Sequence, residues 1–400
     1  MIKAENSDIS PIQDWPEADA YALAQSSQLV ELIRDEITLA GGAIGFDRFM
    51  EMALYQPGLG YYSAGSRKFG ITGDFTTAPE TSSLFSICLA RQCEQIFQVA
   101  GVSTLLELGA GTGIMACDIL DELGRRQALP SQYLILETSA DLRQRQQQML
   151  QMRHPKLLNR LVWLDELPSV PIVGVILANE VLDALPVHRL RYRKHVAHEL
   201  LVGTDDAGFI WRESEAGFMP EQMLQTYGEL VGELPDGYVT EYNSMLSPFI
   251  ETLSTTLGNG AILLTDYGYP RREYYHPQRT QGTLACYYRH RQHDNPFIQI
   301  GLQDITASID FTQVAEAAHA SGLEIYGFNT QAGFLVSSGL EKIISELGAG
   351  SDQAMLRYSQ QAGKLILPGE MGETFKVMAL GKNIRVPLMG FSFGSHLHRL

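Results

Sequence analysis

The sequence has little positive charge, few cysteines and no long apolar run. Its 30 lysines and arginines are outnumbered by 46 aspartates and glutamates, which gives a net charge of −16. A chain this acidic lacks the basic surface that neutralises phosphates, so we expect no nucleic-acid partner. A negative field favours cationic partners instead, although the charge could equally serve only to keep the protein soluble.

The cysteine spacing supports neither a disulfide framework nor a zinc site. Cys88, Cys93, Cys117 and Cys286 form no CxxC pair or comparable ligand pattern, and buried thiols in a reducing compartment are the simplest interpretation. The closely spaced histidines also lack a neighbouring carboxylate or thiol in a metal-binding pattern. We therefore expect no metal site.

Segments that would enter a membrane or direct secretion are also lacking. The longest apolar stretch, Ile172–Ala178, is far shorter than the ~20 residues that span a bilayer. The first residues, MIKAENSDIS, are polar and contain no apolar core of a signal peptide. These features predict a protein that does not insert into membranes and resides in the cytoplasm.

What the chain does contain is an alternation of short apolar strands and amphipathic helices. Such alternation predicts an α/β fold, with a parallel sheet covered by helices on both faces. Helical patterns from Ser27 onward precede it, and strand-like pieces interrupt it after the fourth strand. We predict an N-terminal helical segment that covers the site (1–100), a sheet domain (101–184 and 258–385) and an insertion (185–257). The insertion either faces the substrate or is structurally inert.

The strongest motif is a glycine-rich loop between the first strand of the sheet and its helix. It reads Glu107-Leu-Gly109-Ala-Gly111-Thr-Gly113. Glycines let the backbone turn tightly and approach a ligand, and the helix that follows presents free N–H groups. A dinucleotide fingerprint needs glycine at its sixth position, where Ile114 stands. The loop instead resembles motif I of S-adenosylmethionine methyltransferases, in which Glu107 would face the cationic methionine end of the cofactor.

Two acidic residues stand at the ends of the next strands. Glu137 ends the second strand, where a carboxylate can accept hydrogen bonds from both hydroxyls of a ribose. Asp165 ends the third strand and is a candidate for contacts to the adenine. For each, a solvated side chain at a strand end is the alternative interpretation.

Two longer segments carry a more specific resemblance. They read Gly73-Asp-Phe-Thr-Thr-Ala-Pro-Glu80 and Asn179-Glu-Val-Leu-Asp-Ala-Leu-Pro-Val-His-Arg189. The chain resembles the MidA family, protein arginine methyltransferases that act as mitochondrial complex I assembly factors and have bacterial relatives. The match continues in Leu264-Thr-Asp-Tyr-Gly-Tyr269, Gly301-Leu-Gln-Asp-Ile-Thr306 and Met371-Gly-Glu-Thr-Phe-Lys-Val-Met378.

This resemblance implies a Rossmann-like class I methyltransferase sheet that uses S-adenosylmethionine. It also implies a protein substrate with an arginine target, and symmetric dimethylation of a respiratory complex I-type subunit. The alternative is an assembly chaperone that binds the cofactor with little or no turnover. The oligomeric state stays open, with a homodimer as one option.

Methylation of arginine requires carboxylates, because the guanidinium is always protonated near neutrality. Carboxylates can clamp it through paired hydrogen bonds and help to remove a proton during transfer. Glu180, together with Asp183, is our candidate for this clamp, and Asn179 would orient the loop. These residues follow the fourth strand, at the sheet edge where substrate crevices lie. Alternatively, Asp183 caps a short helix and Glu180 only shapes the loop.

The remaining candidates would contact the cofactor or the substrate. A lid over the cofactor would contain Gly73, Asp74 and Phe75. The substrate side of the crevice would contain Glu80, Asp266 and Tyr267. The segment 269–291, which is rich in tyrosine, arginine and histidine, either recognises the protein substrate or forms an exposed polar loop.

Overall fold

The computed structural model describes Pro16 and residues 18–64, 76–194, 196–217 and 234–400. The predicted lid residues Gly73, Asp74 and Phe75 lie outside these ranges.

Strands and helices alternate along most of the chain. The strands are β1 (Ala43–Ile44), β2 (Thr104–Leu108), β3 (Gln132–Leu136), β4 (Leu161–Leu164), β5 (Ile172–Asn179), β6 (His188–Arg193), β7 (Val196–Asp205), β8 (Gly208–Gly217), β9 (Val239–Tyr242), β10 (Leu257–Tyr269), β11 (Ala285–Tyr288), β12 (Arg291–His293), β13 (Asp304–Thr306), β14 (Ile309–Asp310), β15 (Glu324–Thr330) and β16 (Phe375–Lys382). The helices are α1 (Ala20–Leu39), α2 (Phe46–Tyr55), α3 (Ala78–Thr81), α4 (Ser83–Ala100), α5 (Ile114–Arg125), α6 (Ala140–Arg153), α7 (Leu246–Thr256), α8 (Arg271–Tyr274), α9 (Phe311–Ala320), α10 (Gln331–Ser337), α11 (Leu340–Gly348), α12 (Asp352–Ile366) and α13 (Met371–Thr374).

The central sheet has the order β15-β16-β10-β5-β2-β3-β4, and β14 pairs with β10. Strands β10, β5, β2, β3 and β4 are parallel to one another, as the sequence predicts. Strand β16 runs antiparallel to both of its neighbours. Its almost continuous burial is the same for either strand direction, so an apolar pattern does not reveal the reversal. The predicted α/β methyltransferase-type sheet is confirmed.

Helices cover both faces of this sheet. Alternate side chains of a strand point to opposite faces, and Leu105 and Leu106 accordingly enter two separate hydrophobic clusters. The Leu105 face packs against α4, α5, α11 and α12, while the Leu106 face packs against α7 and α9. Helix α4 begins after Ser82, whose hydroxyl accepts a hydrogen bond from the Leu84 N–H. Burial of both faces holds the carboxyl ends of the parallel strands in fixed positions.

A second sheet lies in the interrupted part of the chain. It has the order β1-β7-β6-β9, and β8 pairs with β7. Strand β1 comes from the N-terminal segment and pairs with β7. Phe46 and Phe49 of α2 share a hydrophobic cluster with Val202 of β7 and with Ile305 of β13. Residues from three distant parts of the sequence therefore form one core beside the central sheet.

A third, small sheet has the order β12-β11-β13. It contains part of the segment 269–291, so the interpretation of that whole segment as an exposed polar loop is wrong. Within the segment 269–291, the residues Tyr274, Tyr275 and Cys286 are buried. Its strands have three or four residues, too few for alternation to be recognised in a sequence.

Within the described part of the chain, no helix combines the length and the apolar character that crossing a bilayer requires.

Candidate active site

A cavity of about 250 Å³ opens where β2, β3 and β5 end. The loops that follow these three strands form much of its wall. Other parts of the wall come from the end of α2 and from β13. A crevice at the carboxyl ends of parallel strands is the usual ligand site of an open α/β sheet.

The glycine-rich loop forms one wall of the cavity. Gly109, Gly111 and Gly113 have φ angles of 62°, 52° and 84°, in the left-handed region that other residues adopt only with strain. A Cβ added at Gly111 would have no described atom within 4 Å. Gly113 is the N-cap of α5. The loop thus leaves open space beside exposed backbone, as a bound ligand requires.

Glu107, the penultimate residue of β2, lines the cavity and is almost fully buried, with 1% of its surface exposed. Its Oε2 accepts a hydrogen bond of 2.6 Å from the Tyr133 hydroxyl, whereas its Oε1 has no partner among the described residues. Burial raises the pKa of Glu107 to about 7. A buried carboxylate oxygen without a donor is costly, so the position favours a cationic or hydrogen-bond-donating ligand.

Glu137 directly follows β3 and is held by two hydrogen bonds of 2.9 Å. Its Oε1 accepts from the Ser139 N–H, and its Oε2 accepts from the Gln146 side-chain amide. The same amide donates to the Gly111 carbonyl. Gln146 therefore links the glycine-rich loop to the acidic residue of the next strand. Sequence reasoning missed Gln146, because its role depends on packing of α6 against that loop.

Glu180 follows β5 in an unusual backbone conformation. Its φ is 53°, in the left-handed region, and its N–H donates to the Thr265 carbonyl at 2.8 Å. The Asn179 amide donates to Glu180 Oε1 at 3.2 Å. Burial, and next the nearby charge of Asp183, raise the pKa of Glu180 to about 8. A strained backbone at a cavity-lining acid is typical of a functional site.

Asp183 also lines the cavity, and Asp266 lies behind it. Burial raises the pKa of Asp183 to about 6, while the Tyr267 hydroxyl acts in the opposite direction. Asp266 is fully buried, and its Oδ2 accepts from the N–H groups of Leu182 and Asp183 at 2.9 and 3.2 Å. Neither Asp266 nor Tyr267 lines the cavity. The prediction that they contact the substrate is therefore corrected: Asp266 holds the backbone that carries Asp183, and Tyr267 acts on the Asp183 carboxyl.

Four further side chains that line the cavity belong to Glu80, Tyr55, Tyr62 and Asp304. Glu80 accepts a hydrogen bond from the Thr112 hydroxyl, and both residues line the wall. Tyr55 and Tyr62 stack with ring centroids 5.5 Å apart, and the Tyr62 hydroxyl donates to Asp304 Oδ1 at 2.9 Å. Sequence reasoning placed Glu80 here and missed the tyrosines and Asp304.

The cavity is strongly acidic. None of the described residues that line it is a lysine, arginine or histidine. The carboxyl groups that line it belong to Glu80, Glu107, Glu137, Glu180, Asp183 and Asp304. Clustered buried carboxylates without a cation favour positively charged ligands.

Asp165 does not join this group. It does not line the cavity, its side chain is 90% exposed, and its Oδ1 pairs with Arg143 at 2.8 Å. The prediction of an adenine contact by Asp165 is not supported by this position.

A second polar cluster lies outside the cavity. Asp47, His188 and Glu199 each place one ligand atom within 4.8 Å of the others. His188 Nδ1 lies 2.8 Å from Glu199 Oε1 and 3.5 Å from Asp47 Oδ1. Burial lowers the pKa of His188, but the hydrogen bond with Glu199 and the charge of Asp47 outweigh this effect and raise that pKa overall. These contacts join α2 to the second sheet, and the spacing of the three residues in the sequence gives no sign of them.

The ligand-free protein should lose stability as the pH rises. The folded-state pKa values of Glu107, Glu180 and Asp183 are raised to about 7, 8 and 6. The folded chain then binds more protons than the unfolded chain between about pH 4 and pH 8, so the free energy of unfolding falls across this window. Thermal unfolding of the wild type and of Glu180→Gln should show a smaller loss for the variant between about pH 6 and pH 8. Equal slopes of stability against pH for the two proteins would contradict the raised pKa of Glu180.

Curated proteins similar to this chain are named protein arginine methyltransferases. "Protein arginine methyltransferase NDUFAF7 homolog, mitochondrial" of Drosophila melanogaster is 27% identical, over 96% of this chain and 93% of the relative. The Homo sapiens protein of the same type is also 27% identical, over 85% of this chain and 80% of the relative.

These relatives correct the predicted location. Their names place them in mitochondria, so the prediction of a cytoplasmic protein is wrong. The lack of an apolar signal core does not exclude mitochondrial targeting, because mitochondrial targeting segments are amphipathic.

A solved structure from Burkholderia thailandensis is similar over almost the whole length. It is 40% identical, covers 96% of this chain and 100% of its own, and superimposes with a TM-score of 0.92. That protein is described as a "likely methyl transferase" bound to S-adenosyl-homocysteine.

A family model described as "Putative S-adenosyl-L-methionine-dependent methyltransferase" matches residues 88–329, which is more than half of the chain. The matched part includes the glycine-rich loop, the acidic residues after β3 and β5, and Asp304. The predicted cofactor is thereby confirmed, and the chain belongs to this family of S-adenosyl-L-methionine-dependent methyltransferases.

Proposed function

We propose that this methyltransferase acts on arginine side chains of a protein substrate. The observation that carries the proposal is a group of three carboxyl groups in the cavity wall, those of Glu180, Asp183 and Asp304. We call this part of the cavity the acceptor side, because it would hold the side chain that accepts the methyl group. A guanidinium is cationic and planar, and it pairs with carboxylates through charge-assisted hydrogen bonds. The names of the curated relatives support the same acceptor.

The cofactor half of the cavity fits S-adenosylmethionine, which supplies a methyl group on a cationic sulfonium when bound. Glu107 would face the methionine end, because its Oε1 has no donor among the described residues. Glu137 would accept from the ribose hydroxyls, since Ser139 and Gln146 fix its carboxylate. Gly109 and Gly111 line the cavity and would lie beside the ligand, whereas Gly113 packs against Gln146 and would support the loop.

The acceptor half supplies orientation and proton removal. Glu180 and Asp183 would hold the guanidinium, and Glu180 would take the proton that the guanidinium loses as it is methylated. In the ligand-free protein, burial and next the charge of Asp183 raise the pKa of Glu180 to about 8. A bound guanidinium would favour the ionised carboxylate, which could then take the proton as a general base. Asn179 would orient Glu180 through its amide.

The segments around the sheet would control access. The N-terminal segment (1–100) would cover the site, since Tyr55 and Tyr62 line the cavity. The insertion (185–257) would face the protein substrate.

The product we propose is symmetric dimethylarginine on a subunit of respiratory complex I. The family resemblance supports this target. Mass spectrometry of complex I from cells with and without the gene should find one subunit arginine that is dimethylated only when the gene is present. Unchanged arginine methylation in the two preparations would contradict the proposed target.

S-adenosylhomocysteine should stabilise the folded protein, because a ligand that binds only the folded state raises its stability. At a concentration of about 100 times Kd, the expected gain is about 2.7 kcal/mol. NADH at the same concentration should cause no change, since Ile114 stands where a dinucleotide fingerprint needs glycine. Thermal-shift titration measures both, and stabilisation by NADH alone would contradict the cofactor site.

A further inference from the structure

Asp304 reaches the cavity from outside the central sheet. It begins β13 of the small third sheet, where it pairs with Tyr287 of β11. Only 2% of its surface is exposed. Its charge acts on Glu180 and on Tyr55 across the cavity.

Contacts from separate parts of the chain fix this carboxylate. The neighbouring Gln303 is fully buried and donates to the Pro296 carbonyl at 3.0 Å. Tyr62 donates to Asp304 Oδ1 and stacks on Tyr55. The Tyr55 hydroxyl in turn donates to the Ala184 carbonyl at 2.9 Å, directly after Asp183. A chain of contacts therefore joins α2, the third sheet and the loop after β5 around the acceptor side.

Asp304 places a third carboxyl group in the cavity that Glu180 and Asp183 line. The charges of Asp183 and Asp304 both oppose ionisation of Glu180, and a cationic ligand would relieve that repulsion. A guanidinium has five N–H donors, more than two carboxylates satisfy when each accepts a pair. A third acceptor would engage the remaining donor and add a further opposite charge.

We propose that Asp304 is a substrate-recognition residue: it is the third carboxylate of the guanidinium subsite, and Tyr62 holds it in position. This inference rests on the proposed arginine specificity and extends it. Asp304 distinguishes a cationic guanidinium from a neutral group of the same shape, whereas Glu180 serves proton removal.

The test uses two matched bisubstrate probes, in which adenosine is joined through one short alkyl chain to a guanidine or to an isosteric urea. Isothermal titration calorimetry gives Kd for each probe. The wild type should prefer the guanidine probe, and Asp304→Asn should lower that preference by about tenfold or more, the value of a charge-assisted hydrogen bond. Kd for S-adenosylhomocysteine should be the same in both proteins, because that ligand does not reach the acceptor side.

The outcomes separate the inference from the function on which it rests. A full guanidine preference in Asp304→Asn would overturn the role of Asp304 while the arginine specificity stands. No guanidine preference in the wild type would overturn both.

If Asp304→Asn does not bind S-adenosylhomocysteine, Tyr62→Phe takes its place, since this variant keeps the Asp304 carboxylate and removes the hydrogen bond that orients it. The preference of Tyr62→Phe for the guanidine probe should be about fivefold lower than that of the wild type. An unchanged preference would overturn the inference.

Discussion

Replacement of Glu180 by glutamine should reduce kcat for methyl transfer by about 10²- to 10⁴-fold, the usual contribution of a general acid or base. The amide has the same shape but neither accepts the proton nor pairs electrostatically with the guanidinium. Binding of S-adenosylhomocysteine should persist, because the glycine-rich loop, Glu107 and Glu137 are unchanged. Transfer of a tritiated methyl group to protein measures the first effect, and calorimetry measures the second.

Asp165→Asn is the matched control for this variant. Asp165 is also an acid near a strand end, but its side chain is 90% exposed and outside the cavity. Its replacement should leave both measurements at the wild-type level. Near-normal turnover by Glu180→Gln would remove Glu180 from the proposed mechanism, whatever the control shows.

Replacement of Glu107 by glutamine should weaken binding of S-adenosylmethionine and S-adenosylhomocysteine by about 10- to 100-fold, since a hydrogen bond to a charged group contributes about 1.5–3 kcal/mol. The substitution removes the charge that would face the cationic methionine end. It keeps an oxygen that can accept from the Tyr133 hydroxyl. Calorimetric titration of both ligands measures the loss.

Glu94→Gln is the control for a buried glutamate that does not line the cavity. Glu94 pairs with Arg126, so its replacement should lower thermal stability without changing either affinity. Unchanged affinity in Glu107→Gln would show that Glu107 does not contact the ligand. Equal losses in both variants would show a general effect of removing buried charge.

The parts of the site that the sequence predicts are local. The glycine-rich loop, Glu137 and the Glu180–Asp183 segment each follow an apolar strand, and parallel strands bring their carboxyl ends to one edge. That rule is sufficient to place Glu107, Glu137, Glu180 and Asp183 around one cavity, as the structure does.

The parts that the sequence does not predict depend on contacts between distant segments. Tyr62 and Asp304 are 242 residues apart in the chain, yet they form a hydrogen bond in the cavity. Asp304 lies on a strand of three residues, which carries no recognisable period. The motif at 301–306 can be recognised in the sequence, but the sequence does not show that the carboxylate of Asp304 lies in the cavity.

Position at a strand end alone also does not establish a role. Asp165 directly follows β4 and Asp266 lies near the carboxyl end of β10, but the Asp165 side chain is exposed and the Asp266 carboxylate accepts hydrogen bonds from two backbone N–H groups. Only packing against neighbouring loops decides whether such a side chain enters the cavity, binds the backbone or faces solvent.

The most direct test of the account is the chemical identity of the methylated product. The purified protein would be incubated with tritiated S-adenosylmethionine and an extract from cells that lack its gene, and the labelled protein would then be hydrolysed to amino acids. If the protein methylates arginine as proposed, label appears in methylarginine, including symmetric dimethylarginine, with the wild type and is lost with Glu180→Gln. Label in another amino acid, or no label from a protein that binds S-adenosylhomocysteine, would contradict this proposal; the second result is the one that an assembly chaperone without turnover would give.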